Sequence, residues 1–112
     1  PLMDAPQVHD LIQHIQDLPC RWCAARNARK ELFHQILRQD DPEQLLTMVK
    51  SLHTQQEAQS RAGKKLSSSD EAALHSAEQI LNEEFALALH MQPEEIPLLV
   101  QQALHTTSRA ES

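Results

Sequence analysis

The chain has 112 residues, with ten Lys and Arg against sixteen Asp and Glu, for a formal net charge of −6 at pH 7. A chain of this length buries roughly two-thirds of its unfolded surface, enough for one modest core and one domain. No apolar run reaches the ~20 residues that span a bilayer, no charged-then-apolar leader opens the chain, and the acidic average counts against nucleic-acid binding unless the charges are unevenly placed.

They are unevenly placed. Nine of the ten basic residues fall between Arg21 and Lys65, leaving only Arg109 outside, while Asp70 to Glu95 holds seven carboxylates and no Lys or Arg. With a screening length of about 8 Å at physiological salt, these regions act separately on a partner. One Gly, no Tyr, two Phe and an abundance of Leu, Ala, Gln and Glu predict an all-α fold. The two cysteines, three residues apart, argue against a disulfide framework and fit a reducing compartment, so a soluble cytoplasmic protein is the default expectation. The opening at Pro1, with no Met, reads as a removed initiator or as a piece of a longer protein.

Asp4 to Leu18 reads as the first amphipathic helix. Asp4 is the N-cap, Pro6 lies in the first turn, and Val8, Leu11, Ile12 and Ile15 form one apolar stripe. Pro19 ends it, because the residue before a proline is pushed out of the α region. Cys20-Arg21-Trp22-Cys23-Ala24-Ala25 follows as a connection holding both cysteines and the one tryptophan.

A second helix is predicted from about Ala25 to Arg38, with Leu32, Phe33, Ile36 and Leu37 on its buried side. Arg26, Arg29 and Lys30 share a face near its start, where basic residues oppose the helix dipole; a nearby anion or plain solvent exposure accounts for them. Asp41 as N-cap, Pro42 at the first helical position and Glu43 in the first turn open a third helix carrying Leu45, Leu46, Val49 and Leu52. Gly63 is its C-cap signal.

Ser68 and Glu71 form an S-x-x-E capping box for a fourth helix running to about Leu89, with Leu66 as its staple. Leu74, Ala77, Leu81, Phe85 and Ala88 keep the stripe, and Ile80, Leu87 and Leu89 widen it, making this helix the core of the bundle. Pro93-Glu94-Glu95 restarts the chain, and Pro97 disfavours α geometry at Ile96, so a short separate turn precedes the last helix. Ile96, Leu99, Val100, Ala103 and Leu104 are its apolar side. The result is a compact bundle of about five helices over residues 1–105, with a flexible tail at 106–112.

Three constellations admit chemistry. The C-x-x-C of Cys20 and Cys23 would serve a thiol oxidoreductase only within a sheet context that the sequence lacks, and zinc only with two further ligands that the scattered histidines do not supply. The seven histidines are scattered along the chain, with no nucleophile pattern beside them, and a single glycine leaves no phosphate-cradling loop. The expectation is therefore no enzyme, no cofactor, no metal and no small-molecule substrate. Trp22 has two readings: a core plug between the first two helices, or an exposed aromatic with basic neighbours that wedges into a minor groove or stacks on an unpaired base.

Lys65-Leu66-Ser67-Ser68-Ser69-Asp70-Glu71, running into Ala77-Glu78-Gln79-Ile80-Leu81-Asn82-Glu83-Glu84-Phe85-Ala86-Leu87-Ala88, resembles the "KL…E…A…ILxxEFAL" stretch of the CarD/CdnL family of bacterial transcription regulators. Pro93-Glu94-Glu95 matches the restart that follows. Upstream, the tryptophan, a helix with Arg29, and Ile36-Leu37-Arg38-Gln39-Asp40-Asp41 in place of the usual "ILRSGD" complete the similarity, which covers about Leu2 to Val100. The part of the family that the chain resembles is its C-terminal helical domain.

The resemblance implies contact with promoter DNA at the upstream edge of the transcription bubble and a more stable open complex of RNA polymerase. Trp22 would be the minor-groove wedge. Arg29 matches a basic position on the following helix, and Arg21, Arg26 and Lys30 join it as phosphate contacts by proximity. Three departures accompany the match. The N-terminal Tudor-like domain, through which the family binds the polymerase β subunit, is absent from this sequence. Ala24 and Ala25 stand where actinobacterial members carry a basic pair. The stretch from Trp22 to Asp41 is about one helical turn longer than in those members, as in the Firmicutes branch. The alternative reading is a helical protein–protein interaction module with an acidic face between Asp70 and Glu95 and no DNA binding.

Overall fold

The computed structural model describes residues 3–110, with side chains through Leu104. Among these residues there are five α-helices and no strand: α1 (Ala5–Gln13), α2 (Arg26–Gln39), α3 (Pro42–Arg61), α4 (Ser68–Leu89) and α5 (Ile96–Ala110). Two 3-10 turns, Ile15–Asp17 and Pro93–Glu95, stand between α1 and α2 and before α5. The all-α fold expected from composition is the fold observed. No described helix is long and apolar enough to cross a membrane. Of the tail expected at 106–112, the last two residues lie outside the described residues, and the backbone before them continues α5.

The chain divides into two units, one of residues 1–18 with 80–112 and the other of residues 19–79. In the first, α1, the 3-10 turn at Ile15–Asp17 and α5 are in mutual contact. Val8, Ile15, Phe85 and Ile96 are its most completely buried side chains. Asp4 caps α1 by accepting from the Gln7 amide at 3.0 Å while the Gln7 side chain accepts from the Asp4 amide at 3.0 Å, a reciprocal capping box. The single helix expected to Leu18 instead stops at Gln13. His14 leaves helical geometry, with its ring Nδ1 2.8 Å from the Asp10 carbonyl oxygen, and the chain tightens into a 3-10 turn. Leu18, ahead of Pro19, is extended as the proline requires.

The second unit carries α2, α3 and the first half of α4. Asp41 caps α3 with Pro42 at its first position, as the sequence predicts. Gly63, at φ +75°, ends it: the Lys64 amide donates to the Gln59 carbonyl at 2.7 Å and the Gly63 amide to Ser60 at 3.0 Å, a Schellman closure. Leu45, Leu46, Val49 and Leu52 are all buried.

Three expectations need correction. On α2 only Phe33 of the four predicted apolar residues is buried; Leu32 is 40% exposed, because the helix turns Arg29 and Phe33, four residues apart, inward instead. On α4, Leu87 is 61% exposed and does not widen the buried stripe. The α4 cap sits one residue earlier than expected, since the Asp70 amide donates to Ser67 Oγ at 3.2 Å and Asp70, not Glu71, occupies the third helical position.

Candidate nucleic-acid interface

The connection from Pro19 to Ala24 has neither turn nor bend. It is held against the second unit at several points. The Arg21 amide donates to Ser51 Oγ at 2.9 Å, and Cys20 Sγ lies 3.5 Å from Thr54 Oγ1, both partners being on α3. Ser51 and Thr54 in turn donate to the Thr47 and Lys50 carbonyls of their own helix, which fixes their oxygens for these contacts. Farther along, Arg29 Nη1 donates to the Cys23 carbonyl at 3.0 Å and to that of Ala24 at 3.4 Å.

Arg29 is the centre of this arrangement. Its Nε and Nη2 donate to Asp70 Oδ1 and Oδ2 at 3.0 and 2.9 Å, a bidentate pair in which Arg29 is 8% and Asp70 2% exposed. All three guanidinium nitrogens are thus committed inside the protein. The phosphate contact expected at Arg29 gives way to a structural one, because a buried guanidinium already bonded on each nitrogen has no edge to present to DNA. Sequence reasoning left Arg29 on a shared basic face, with either a nearby anion or solvent beside it, and did not identify Asp70 as that anion. The readable signal was Ser67-x-x-Asp70, which puts Asp70 in the first turn of α4.

Trp22 lies over this pair. The Arg29 Cζ is 4.5 Å from the centroid of the indole, a cation–π stack, and the Phe33 ring centroid is 6.5 Å away with the rings tilted by 57°. The indole is half-buried. Trp22 is thus anchored by Arg29 and Phe33 yet remains partly exposed, which lies between a core plug and a free aromatic.

Arg21, Arg26 and Lys30 are all exposed and take part in no ion pair among the described residues. Arg26 and Lys30 are four apart on α2 and share a face. The helix itself begins at Ala25 without a side-chain cap and with no acidic residue in its first turn, so its leading N–H groups are left to external acceptors. Ala24 and Ala25 are exposed and add no charge.

The remaining titratable groups are dispersed. Cys20 and Cys23 are free thiols, and no three His, Cys, Asp or Glu side chains converge on a metal-sized site among the described residues. His53 Nε2 is 3.0 Å from Glu78 Oε2, and that hydrogen bond holds the imidazole above its ordinary value despite partial desolvation. His14 is raised as well, chiefly by its bond to the Asp10 carbonyl, with the Asp10 carboxylate adding to it. Within the acidic stretch from Asp70 to Glu95, Asp70 is bonded to Arg29 and Glu78 to His53.

A family profile described as "CarD, C-terminal domain" matches residues 17–101. The chain belongs to the CarD family. The match begins just ahead of the Trp22 connection and runs through all of α2, α3 and α4 into α5, so it contains every residue of the site. No curated protein and no solved structure matches the chain. Membership gives this CarD C-terminal domain a transcription-related role and places it with regulators, not with an enzyme family. One departure from the family's usual "ILRSGD" stretch now has a geometric meaning. Asp40 stands at the glycine of that stretch and adopts φ +55°, in the left-handed region where a glycine is at ease.

Proposed function

We propose that this CarD C-terminal domain contacts promoter DNA at the upstream edge of the transcription bubble, inserting Trp22 into the minor groove and stabilising the open complex of RNA polymerase. The observation that carries the reading is the half-buried indole, stacked on a buried Arg29–Asp70 pair, with three exposed cations, in no ion pair among the described residues, on the same connection and the helix it leads into. An apolar wedge needs a rigid backing to unstack a base step, and it needs nearby positive charge to hold the backbone while it does so. In this reading Trp22 is the wedge, and Arg21, Arg26 and Lys30 contact phosphates. Arg29 touches no DNA; it positions Trp22. The uncapped start of α2 beside Arg26 suits a phosphate oxygen. Attachment to the polymerase β subunit belongs to an N-terminal Tudor-like domain in the intact regulator.

The test is salt-dependent binding of the domain to forked-junction DNA and to plain duplex of the same sequence. Tighter binding to the junction, lost in Trp22→Ala while the cooperative thermal transition is kept, supports the wedge. Equal affinity for both DNAs, or a Trp22→Ala variant that loses its helicity and cooperative melt, defeats it.

A further inference from the structure

The C-x-x-C motif is not used by the DNA reading, and the geometry around it is unusual in one respect: the two thiols flank Trp22 on a segment that does not turn. Between Pro19 and Ala24 there is no bend, and three extended residue steps span up to about 10 Å. A disulfide needs Cα atoms within about 7 Å of each other. Both thiols are free, and a connection without turn or bend lacks the close approach of Cys20 to Cys23 that a bridge requires. Nor can the connection fold freely. Its backbone is tied to Ser51 through the Arg21 amide and to Arg29 through the Cys23 carbonyl, and each thiol has its own contact, Cys20 with Thr54 Oγ1 and Cys23 with the Ala25 carbonyl at 3.7 Å. Folding the segment into the turn that a bridge requires draws Cys20 or Cys23 away from these anchors. Trp22, between them, leaves Arg29 and Phe33.

We propose that Cys20 and Cys23 are a dithiol modification site whose oxidised form and whose seated Trp22 exclude one another. The oxidant is a low-molecular-weight disulfide. Cys20 is the more exposed thiol, and its thiolate attacks one sulfur of the reagent, expelling the first thiolate and leaving a mixed disulfide. The Cys23 thiolate then attacks Cys20 Sγ, forming the intramolecular bond and expelling the second. Two electrons pass from the cysteines to the reagent, and the two thiol protons end on the two released thiols. Because the clamp and the bridge compete, the coupling is reciprocal: whatever tightens Arg29 on Asp70 keeps the thiols reduced, and whatever loosens it favours the bridge. The inference goes beyond the DNA reading and needs no DNA to test.

The chain has one tryptophan and no tyrosine, so its fluorescence reports Trp22 alone. The 112-residue protein is equilibrated in oxidised and reduced glutathione, with thiol content and mass followed alongside emission. The expected result is an intramolecular disulfide, seen as the loss of two hydrogens, accompanied by a red-shifted emission. Reductant reverses both, and Cys20→Ser and Cys23→Ser show neither. Asp70→Asn, which weakens the clamp, raises the disulfide-to-dithiol ratio about ten-fold at the same glutathione poise. Glutathione adducts without the internal bridge overturn the proposal, as does a bridge that leaves the emission of Trp22 unchanged, or an Asp70→Asn ratio equal to that of the parent. Circular dichroism on each sample separates these outcomes from unfolding.

Discussion

Arg29 and Asp70, forty-one positions apart in sequence, meet as a two-bond fork at 3.0 and 2.9 Å with almost no exposure to solvent. A pair so buried is costly to desolvate, and its net contribution to stability is modest even when its geometry is good. Its removal by halves is another matter. Arg29→Ala leaves the Asp70 carboxylate buried alone and strands the Cys23 and Ala24 carbonyls, so a loss of about 3–5 kcal/mol is expected in urea denaturation. Arg29→Met combined with Asp70→Leu removes both charges and recovers part of that loss. A double variant as unstable as the single one shows the cost to lie in the loop carbonyls instead of the pair.

Three of the described residues hold left-handed backbone, and they test the turn chemistry separately from packing. At Gly63 a Cβ would meet nothing within 4 Å, so the cost of Gly63→Ala, about 1 kcal/mol, is purely conformational. His90 closes α4 at φ +56°, with the Met91 amide donating to the Ala86 carbonyl at 2.9 Å. His90→Gly is expected to stabilise by about 0.5–1 kcal/mol, since glycine removes the strain at some cost in chain entropy. Asp40→Gly gains less, because aspartate visits this region more readily than histidine. Thermal melts rank the three.

His53 makes stability depend on pH. Its folded-state value is raised by Glu78, so the protonated imidazole is favoured in the fold. That contribution is full below the unfolded value of 6.5 and is lost as pH rises through the higher folded value. The melting temperature should therefore fall across that window by more in the parent than in His53→Gln. His14, raised in the same direction, adds a slope of the same sign that survives in the variant. Identical pH profiles for parent and His53→Gln rule out the contribution.

The exposed cations give the DNA reading a quantitative mark. Replacing Arg21, Arg26 and Lys30 together by Ala should lower the slope of log affinity against log salt by about 2–3, near 0.9 per phosphate contact. Stability should change by no more than about 0.5 kcal/mol per site, since none of the three makes an ion pair among the described residues. An unchanged slope moves the phosphate contacts elsewhere on the domain.

What could be read from the sequence was local. Asp4 with Pro6, Asp41 with Pro42, and Gly63 announce helix ends within a few residues of where they act, and all three were legible. The misreadings were long-range. Arg29 was placed with Arg26 and Lys30 on one basic face, with a nearby anion or solvent to account for it, and the anion, Asp70, is supplied by another helix and makes its burial tolerable. The same pair explains the misplaced face of α2: with Arg29 inward, Leu32 has to turn outward. In the run Ser67-Ser68-Ser69, each serine is a competent cap, so the sequence alone does not choose among them; the chosen register sets Asp70 facing Arg29. The resemblance carried by the motifs reached the family, and the match over residues 17–101 agrees with it.

The connection that carries Trp22 is tied on one side of the indole by the Arg21 amide and on the other by the Cys23 carbonyl, while the ring rests on Arg29 and Phe33. A side chain held in this way has given up its rotamer freedom during folding, before any partner arrives. Association through Trp22 then carries little further ordering cost, and its strength draws on the stability of the fold itself. Substitutions deep in the second unit, far from any surface a partner could touch, would in that case act as affinity mutations.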